Sequence, residues 1–268
     1  MSGGNTKALR VRIKSVTSTL QLTKAMELVA SSKIRRANEA MQKGRQYAAA
    51  LTSTIDMLSA ERDCQRSPYM RVGEENRTRI VIIAGDRGLA GGYNANVFRL
   101  AREYPDAEFI PIGKRPCEKY GEDIVSSEHF SFDDAYELTE KLCADFVAGE
   151  FDRLGVIYTK YVSVMTQEAS IKWLLPFEKK EKKANSQAVF EPDCLTVLDN
   201  IAKEYVAGMI TVLARESFAS EVSARRMAMD SAGKNARQMI DSLQLEYNRA
   251  RQGAITQEIT EIVAGSGA

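Results

Sequence analysis

Both ends of the chain carry a seven-residue rhythm of apolar positions, and the middle does not. Leu9, Ile13, Val16, Leu20, Thr23, Glu27, Ala30, Ile34, Ala37, Met41, Gly44, Ala48, Leu51, Ile55 and Leu58 alternate four and three apart, and twelve of these fifteen are Leu, Ile, Val, Met or Ala. An apolar period of 3.5 residues held over about seven heptads predicts one long helix with a left-handed coiled-coil seam. Thr23, Glu27 and Gly44 break the rhythm, and beside the first two the apolar residues move one place, to Leu22, Ala25, Met26 and Val29. That step is roughly 100° round a helix, so either the seam stutters or a second apolar face opens. Near the other end Val222, Met229, Ala236, Leu243 and Ala250 recur every seventh residue, with Ala232, Met239, Ile240 and Tyr247 between them. This predicts a second long helix, and its frequent small residues let another helix axis come close.

Proline placement supports the same division. All six prolines lie between residues 68 and 192. Each costs roughly 3 kcal/mol inside a helix, so only the ends are free to form very long ones. At about 1.5 Å per residue, the spans 9–58 and 195–264 would reach roughly 75 Å and 105 Å, and the second would overhang by about 30 Å. If the two run antiparallel, Leu9 falls near Leu245. The tip AITQEITEIVAGSGA, with Ile255, Ile259, Ile262 and Val263, then has no partner in this chain and needs another protein to cover it.

Between the two helices the pattern shortens. It reads RIVIIAGD (strand), 92–104 (helix), AEFIPIG (strand), FDDAYELTEKLCADFVAG (helix, Asp133 as its cap), LGVIYTKY (strand) and VSVMTQEASIKWLLPF (strand). Strands alternating with helices predict a small Rossmann-like α/β domain with a largely parallel sheet. KKEKKANSQ, 179–187, reads as a solvated loop. The expected fold class is therefore α/β, with a long antiparallel two-helix coiled coil formed by the chain ends (1–62 and 193–268) around a domain at 63–192.

Composition excludes several functions. The 37 basic and 36 acidic side chains nearly cancel, which leaves no overall pull on nucleic acid or anionic membrane. No uncharged apolar run of 18 residues is present and MSGGNTKALRVR lacks a signal-peptide core, so neither a span nor a leader is expected. The four cysteines have no CxxC spacing and no neighbouring histidine, which argues against zinc and a secreted disulfide framework and fits a reducing compartment. Charge is local instead: residues 1–50 hold ten Lys or Arg against Glu27 and Glu39. Such a face is simply solvated, or it meets an acidic protein partner. Aromatic residues do not interleave with it as single-strand binding requires.

The stretch IVIIAGDRGLAGGYN, 80–94, is the one candidate phosphate loop. A P-loop needs a Lys after its glycines and the dinucleotide fingerprint needs G-x-G-x-x-G; the glycines here stand at 85, 88, 91 and 92 with no such Lys. The reading is a tight strand-to-helix turn, with Gly91 and Gly92 admitting a close neighbour and Asp86 and Arg87 exposed. His129 is the only histidine, too little for a triad or a histidine metal site. No cofactor, metal or active site is expected.

Three blocks, IKSVTSTLQLTKAMELVASSKIRRA, GDRGLAGGYN and SARRMAMDSAGKNARQMIDSLQLEYNRARQGAITQEITEIV, resemble the gamma subunit of the F-type ATP synthases in matching order from end to end. The resemblance implies a rotor: an antiparallel coiled coil inside a ring of three alpha and three beta subunits, with a foot beside epsilon and the membrane c-ring. Ion flow would turn it and so drive ATP synthesis on beta, or hydrolysis in reverse. It implies a peripheral place at the cytoplasmic face of the bacterial plasma membrane. Carried over by motif, contacts with the mobile acidic loop of beta fall on Met26, Asp86, Arg87, Ala90, Arg251, Gln252, Thr256 and Glu258, with Lys33, Arg35 and Arg36 as further ionic contacts. The dithiol insertion of plant chloroplast relatives is absent between Trp173 and Pro192, so thiol regulation of that kind is not expected. Two rival readings remain. An SMC-like arm would need a Walker head, which neither chain end carries, and a Rossmann-type enzyme would need tight NAD or ATP binding.

Overall fold

The computed structural model describes residues 2–73, 77–123, 125–181 and 190–266. The chain divides into two compact units, Ser31–Arg225 and Met1–Ala30 with Arg226–Ala268. Its elements are α1 (Ser2–Ser59), β1 (Thr78–Ile83), α2 (Tyr93–Ala101), β2 (Glu108–Ile112), α3 (Lys114–Tyr120), α4 (Phe132–Ala148), β3 (Arg153–Tyr161), β4 (Gln167–Leu175) and α5 (Cys194–Ser266). The fold class is as expected, and both long helices extend beyond the spans 9–58 and 195–264 while staying within 1–62 and 193–268. From residue 182 onward the loop expected at 179–187 lies outside the described residues.

In the larger unit the sheet order is β2-β1-β3-β4, parallel throughout except for β4, which runs antiparallel to β3. The central strand β1 is an Ile/Val run with Ile80 to Ile83 fully buried, as a strand covered on both faces must be. On one face Ile80, Ile82 and Ile157 pack against Val97 and Ala101 of α2. On the other, Val81, Ile83, Leu154 and Val156 pack against Ala135, Leu142 and Phe146 of α4, with Ile55 and Leu58 of α1 and Leu198 to Ala214 of α5 completing the core.

The chemistry of each element end explains its place. α4 is capped by Ser131 rather than Asp133, through a box in which the Ser131 hydroxyl accepts from the Asp134 N–H and Asp134 accepts from the Ser131 N–H at 2.9 Å. Asp133 sits inside the first turn, where its charge suits the helix dipole. α3, unforeseen from the hydrophobic pattern, has Pro116 in its first turn and Gly121 at its left-handed end, the proline-first, glycine-last asymmetry of short helices. Two 3₁₀ turns, Asp63–Arg66 and Pro68–Met70, also went unforeseen because neither is long enough to show a period.

The seam positions of α1 and α5 are the buried ones. In the larger unit Ala37, Met41, Gly44, Ile55 and Leu58 are buried and Ile34 is half-buried. A β-carbon on Gly44 would lie 3.4 Å from Val212, and one on Gly208 would lie 2.6 Å from Leu51 and 2.9 Å from Tyr47. As position numbers rise on one helix they fall on the other, so this part of the pair is antiparallel, and small residues set its close approach. In the other unit Thr23, Ala30, Met229, Ala236 and Leu243 are buried, while Leu9, Ile13, Val16, Leu20, Glu27, Ala232, Ile240, Tyr247 and Ala250 are half-buried. Gly233 there faces Leu20 and Thr23.

Two sequence expectations sharpen here. The seam does not stutter: Thr23 keeps its place at 7% exposed with its hydroxyl bonded to the Leu20 carbonyl at 3.0 Å, while Leu22 is 61% exposed. Of the two readings, the second apolar face is the one observed. Met239 is a correction, since it is 46% exposed and Ile240 takes the inward position; a helix can aim only one of two adjacent residues at a seam.

Candidate interaction surface

The glycine stretch sits where an open α/β sheet binds its ligand. With α2 and α4 on opposite faces, the strand order reverses between β1 and β3, and beyond their carboxyl ends such sheets leave a crevice. Here α5 fills it. β3 runs past the end of β1, so its last backbone groups have no partner strand on that side. The Thr159 N–H donates to Ser217 Oγ at 2.8 Å, the Ser220 hydroxyl donates to the Thr159 carbonyl at 3.0 Å, and the Tyr161 N–H donates to Glu216 at 3.0 Å. Arg45 of α1 donates to the Tyr161 carbonyl at 2.8 Å and pairs with Glu216 at 2.7 Å. Side chains of the long helices thus do for β3 what a further strand would have done.

The loop itself is pinned from within. Asn94 accepts from the Gly85 N–H at 2.9 Å, and Tyr93 donates to the Ser217 carbonyl at 3.1 Å. Gly85 admits a close neighbour, where a β-carbon would stand 2.8 Å from the Glu221 carboxyl carbon, whereas at Gly92 the nearest atom would be Asn96 Nδ2 at 3.5 Å. Gly91 holds a left-handed turn, at φ 59°. Arg225 pairs with Glu221 at 2.5 Å and reaches the Gly88 carbonyl at 3.3 Å.

Asp86 is a second correction. It is half-buried rather than exposed, and accepts from Ser126 Oγ at 2.6 Å, the Ser127 N–H at 2.9 Å and hydroxyl at 3.2 Å, the Lys114 N–H at 3.0 Å and the Glu128 N–H at 3.4 Å. Burial alone would raise its pKa; the hydrogen bonds from Ser126, Ser127, Lys114 and Glu128 outweigh that and hold it below the usual carboxylate value. Burial pushes the Glu221 carboxyl the other way, with Asp86 and Glu128 adding to the rise against Arg225. A phosphate entering this crevice would meet these carboxylates, not a cradle of free N–H groups.

An Asp86→Asn substitution trades those charge-assisted acceptors for weaker, partly mismatched ones and is expected to cost about 1–3 kcal/mol in a denaturant melt at pH 7. Because the folded pKa lies below the unfolded one, the wild-type contribution is complete above the unfolded value of about 4 and is lost as pH falls through the folded value. The gap between wild type and variant should therefore close in melts taken below pH 4.

The remaining motif-derived residues fall on surfaces. Arg87, Arg251, Gln252 and Thr256 are exposed, Met26 is half-buried beside the seam, and Ala90 is buried at 3%. Glu258 lies on α5, with its side chain outside the described residues. Lys33 pairs with Glu128 of this chain, Arg35 lies 3.9 Å from Glu39, and Arg36 is exposed. Lys33, Arg36 and Arg215, with the Lys33 partner Glu128, line a cleft of about 370 Å³ together with Ala37 and Phe218, so a mixed-charge depression with a basic excess stands beside the first helix. Farther along, Val11, Leu22 and Leu28 are 61–63% exposed, and Ile255, Ile259 and Ile262 are 48%, 56% and 70% exposed. Serine at Leu22 is expected to shift the melting free energy of the isolated chain by less than about 0.5 kcal/mol, while weakening its capture by partner subunits in a binding titration.

Sequence reasoning missed Glu216, Ser217, Ser220 and Glu221. The signal was present: two polar pairs four residues apart on a helix that is otherwise buried nearly all round from Tyr205 to Ser223. Polar residues so placed need partners: Glu216, Ser217 and Ser220 find theirs on β3 and α1, and Glu221 finds its own in Arg225 one turn on.

Comparison with known proteins agrees with this architecture. A family model described as ATP synthase matches residues 5–268. A Ruminococcus albus protein named ATP synthase gamma chain is 39% identical over 98% of both chains. A gamma chain of Acetobacterium woodii, named sodium ion specific, is 38% identical over 98% of both. A chain from the Euglena gracilis mitochondrial ATP synthase, solved as OSCP, F1 and c-ring in rotational state 3, shares the fold with a TM-score of 0.70 at 18% identity, covering 99% of this chain and 94% of that one. Matched by the family model from residue 5 to its end, and by relatives over nearly their whole length, the chain belongs to the gamma chain family of the ATP synthases.

Proposed function

We propose that this chain is the central rotor shaft of an F-type ATP synthase, a peripheral subunit at the cytoplasmic face of the bacterial plasma membrane that contributes no catalytic residue. Its end helices (1–62 and 193–268) stand inside three alpha and three beta subunits, and its domain at 63–192 is the foot beside epsilon and the c-ring. Ion flow turns it, and its asymmetric shaft opens and closes the catalytic sites on beta in turn. The driving ion, proton or sodium, is selected in the membrane subunits.

The observation that carries this reading is the exposed apolar run Ile255, Ile259 and Ile262 at the end of a 73-residue helix. Such a run on a chain with no helix, among the described residues, long and apolar enough to cross a membrane needs protein cover. A shaft that faces three identical subunits in different states must also make and break contacts, which suits exposed small and polar positions such as Gln252, Gly253 and Thr256 better than one large dry interface. The filled crevice removes the main support for a nucleotide-binding enzyme. Mixing the purified chain with F-type alpha and beta subunits should give a complex of three alpha, three beta and one of this chain that turns over ATP faster than alpha and beta alone. No complex and no stimulation would overturn the proposal.

A further inference from the structure

Two cysteines 130 positions apart in the chain meet in the larger unit. Cys64 lies in the 3₁₀ turn Asp63–Arg66 that follows α1, and Cys194 is the first residue of α5. The Cys64 thiol donates to the Cys194 carbonyl at 3.1 Å, which brings its sulfur against the backbone of the other cysteine. Around them Ser67 donates to Asp199 at 3.1 Å and the Phe177 N–H donates to the Tyr69 carbonyl at 2.8 Å, so both cysteines are held on docked backbone rather than on swinging loops. Cys117 and Cys143, by contrast, are buried in α3 and α4.

The two thiols differ in access. Cys64 is fully buried, whereas Cys194 is half-exposed on a cavity of about 490 Å³ lined by Glu61, Asp63, Arg66, Phe190, Asp193 and Leu195. Three carboxylates against one guanidinium give that cavity an acidic rim, which disfavours anionic thiol reagents such as glutathione disulfide and leaves a small uncharged oxidant as the fitting one.

We infer that Cys64 and Cys194 form a dithiol that hydrogen peroxide can oxidise, and that the resulting disulfide staples the end of the first long helix to the start of the last. In the first step the Cys194 sulfur attacks hydrogen peroxide; an S–O bond forms, the O–O bond breaks, and water leaves, giving the sulfenic acid. In the second the Cys64 sulfur attacks the Cys194 sulfur; the S–S bond forms, the S–O bond breaks, and the hydroxyl leaves as water with the Cys64 proton. Two thiols are oxidised, one peroxide is reduced, and two waters are released. Access assigns the roles: Cys194 lines the cavity and meets the oxidant, while Cys64, fully buried and with its thiol pushed up to about 12 by burial, is the resolving sulfur. The staple closes a loop of about 130 residues, among the longest a chain of this size can close, and such loops gain most from closure.

The test uses the purified full chain, treated with hydrogen peroxide and assayed with and without dithiothreitol. Expected are the loss of two of its four titratable thiols, recovery of both on reduction, a linked peptide pair containing Cys64 and Cys194, and a melting temperature about 10 °C above that of the reduced chain. Cys64→Ser should leave a sulfenic or sulfinic acid on Cys194 and no linked peptide, while Cys117→Ser should oxidise as the wild type does. Oxidation that leaves all sulfurs unlinked, or links any other pair, would overturn the inference. Because the readouts are made on the isolated chain, their failure is independent of the outcome of the alpha and beta reconstitution.

Discussion

Replacing Gly113 with alanine is expected to remove about 4 kcal/mol of stability and lower the melting temperature by roughly 10 °C. Gly113 joins β2 to α3 at φ 111° and ψ 148°, a region that only glycine occupies without strain of about 1–3 kcal/mol. Strain is the smaller part. A methyl group there would overlap the Ala84 carbonyl oxygen and lie 2.9 Å from its carbon. Ala84 cannot retreat, because its N–H is bonded to the Ile112 carbonyl at 3.0 Å and the strand before it is buried on both faces. Gly113 also donates its own N–H to the Val125 carbonyl at 2.9 Å, so a shifted backbone loses that bond too. The control is Gly253→Ala on α5, where nothing lies within 4 Å of the new methyl; helix propensity there should make the change neutral to stabilising by up to about 1 kcal/mol. Thermal melts of the two variants side by side check both, and a Gly113→Ala protein that melts within ~2 °C of wild type would contradict the geometry.

Deleting residues 255–268 is expected to do the reverse: to leave the melting temperature nearly unchanged and to weaken assembly with alpha and beta subunits by at least about 100-fold. The segment takes with it Ile255, Ile259 and Ile262, all about half exposed or more, so the isolated chain loses little buried area. If a partner covers them, each isoleucine is worth about 1.5–3 kcal/mol on burial, and two such side chains already exceed the 2.7 kcal/mol or so that a 100-fold change requires. The comparison of a melt with a sedimentation or pull-down titration separates the two effects. A truncated chain that melts much lower would show that the tip is packed within the chain, and one that assembles normally would show that no partner covers it.

How far the sequence could be read depended on whether an element carries its own period. α1 and α5 were legible because burial follows one geometric rule along their whole length. The rule even held through Thr23 and Gly44, where residue type alone suggested a break. The strand run Ile80–Ile83 and the β3 segment were legible for the same reason. α3 and the two 3₁₀ turns were not, since seven, four and three residues are too short for a period to repeat. The exposure of the candidate contact residues was legible in part. Arg87, Arg251, Gln252 and Thr256 are exposed, as a contact surface needs, but Asp86 and Lys33 already have partners in this chain. Those partners, Ser126 to Glu128, lie about 40 residues beyond Asp86 and about 95 beyond Lys33, and no local pattern can express such a pairing. Met239 was misplaced because an adjacent Met-Ile pair offers the seam two candidates and only the three-dimensional twist decides between them.

The helix that fills the crevice between β1 and β3 has a consequence for mass action. A ligand stabilises a protein only by binding its folded state in preference to the unfolded one, and here that place is filled by a segment of the same chain, present at unchanging effective concentration. The melting temperature of this chain should then be the same in millimolar ATP, in ADP and in neither. An element that must transmit force at every level of the cell's adenylate charge gains from being deaf to it.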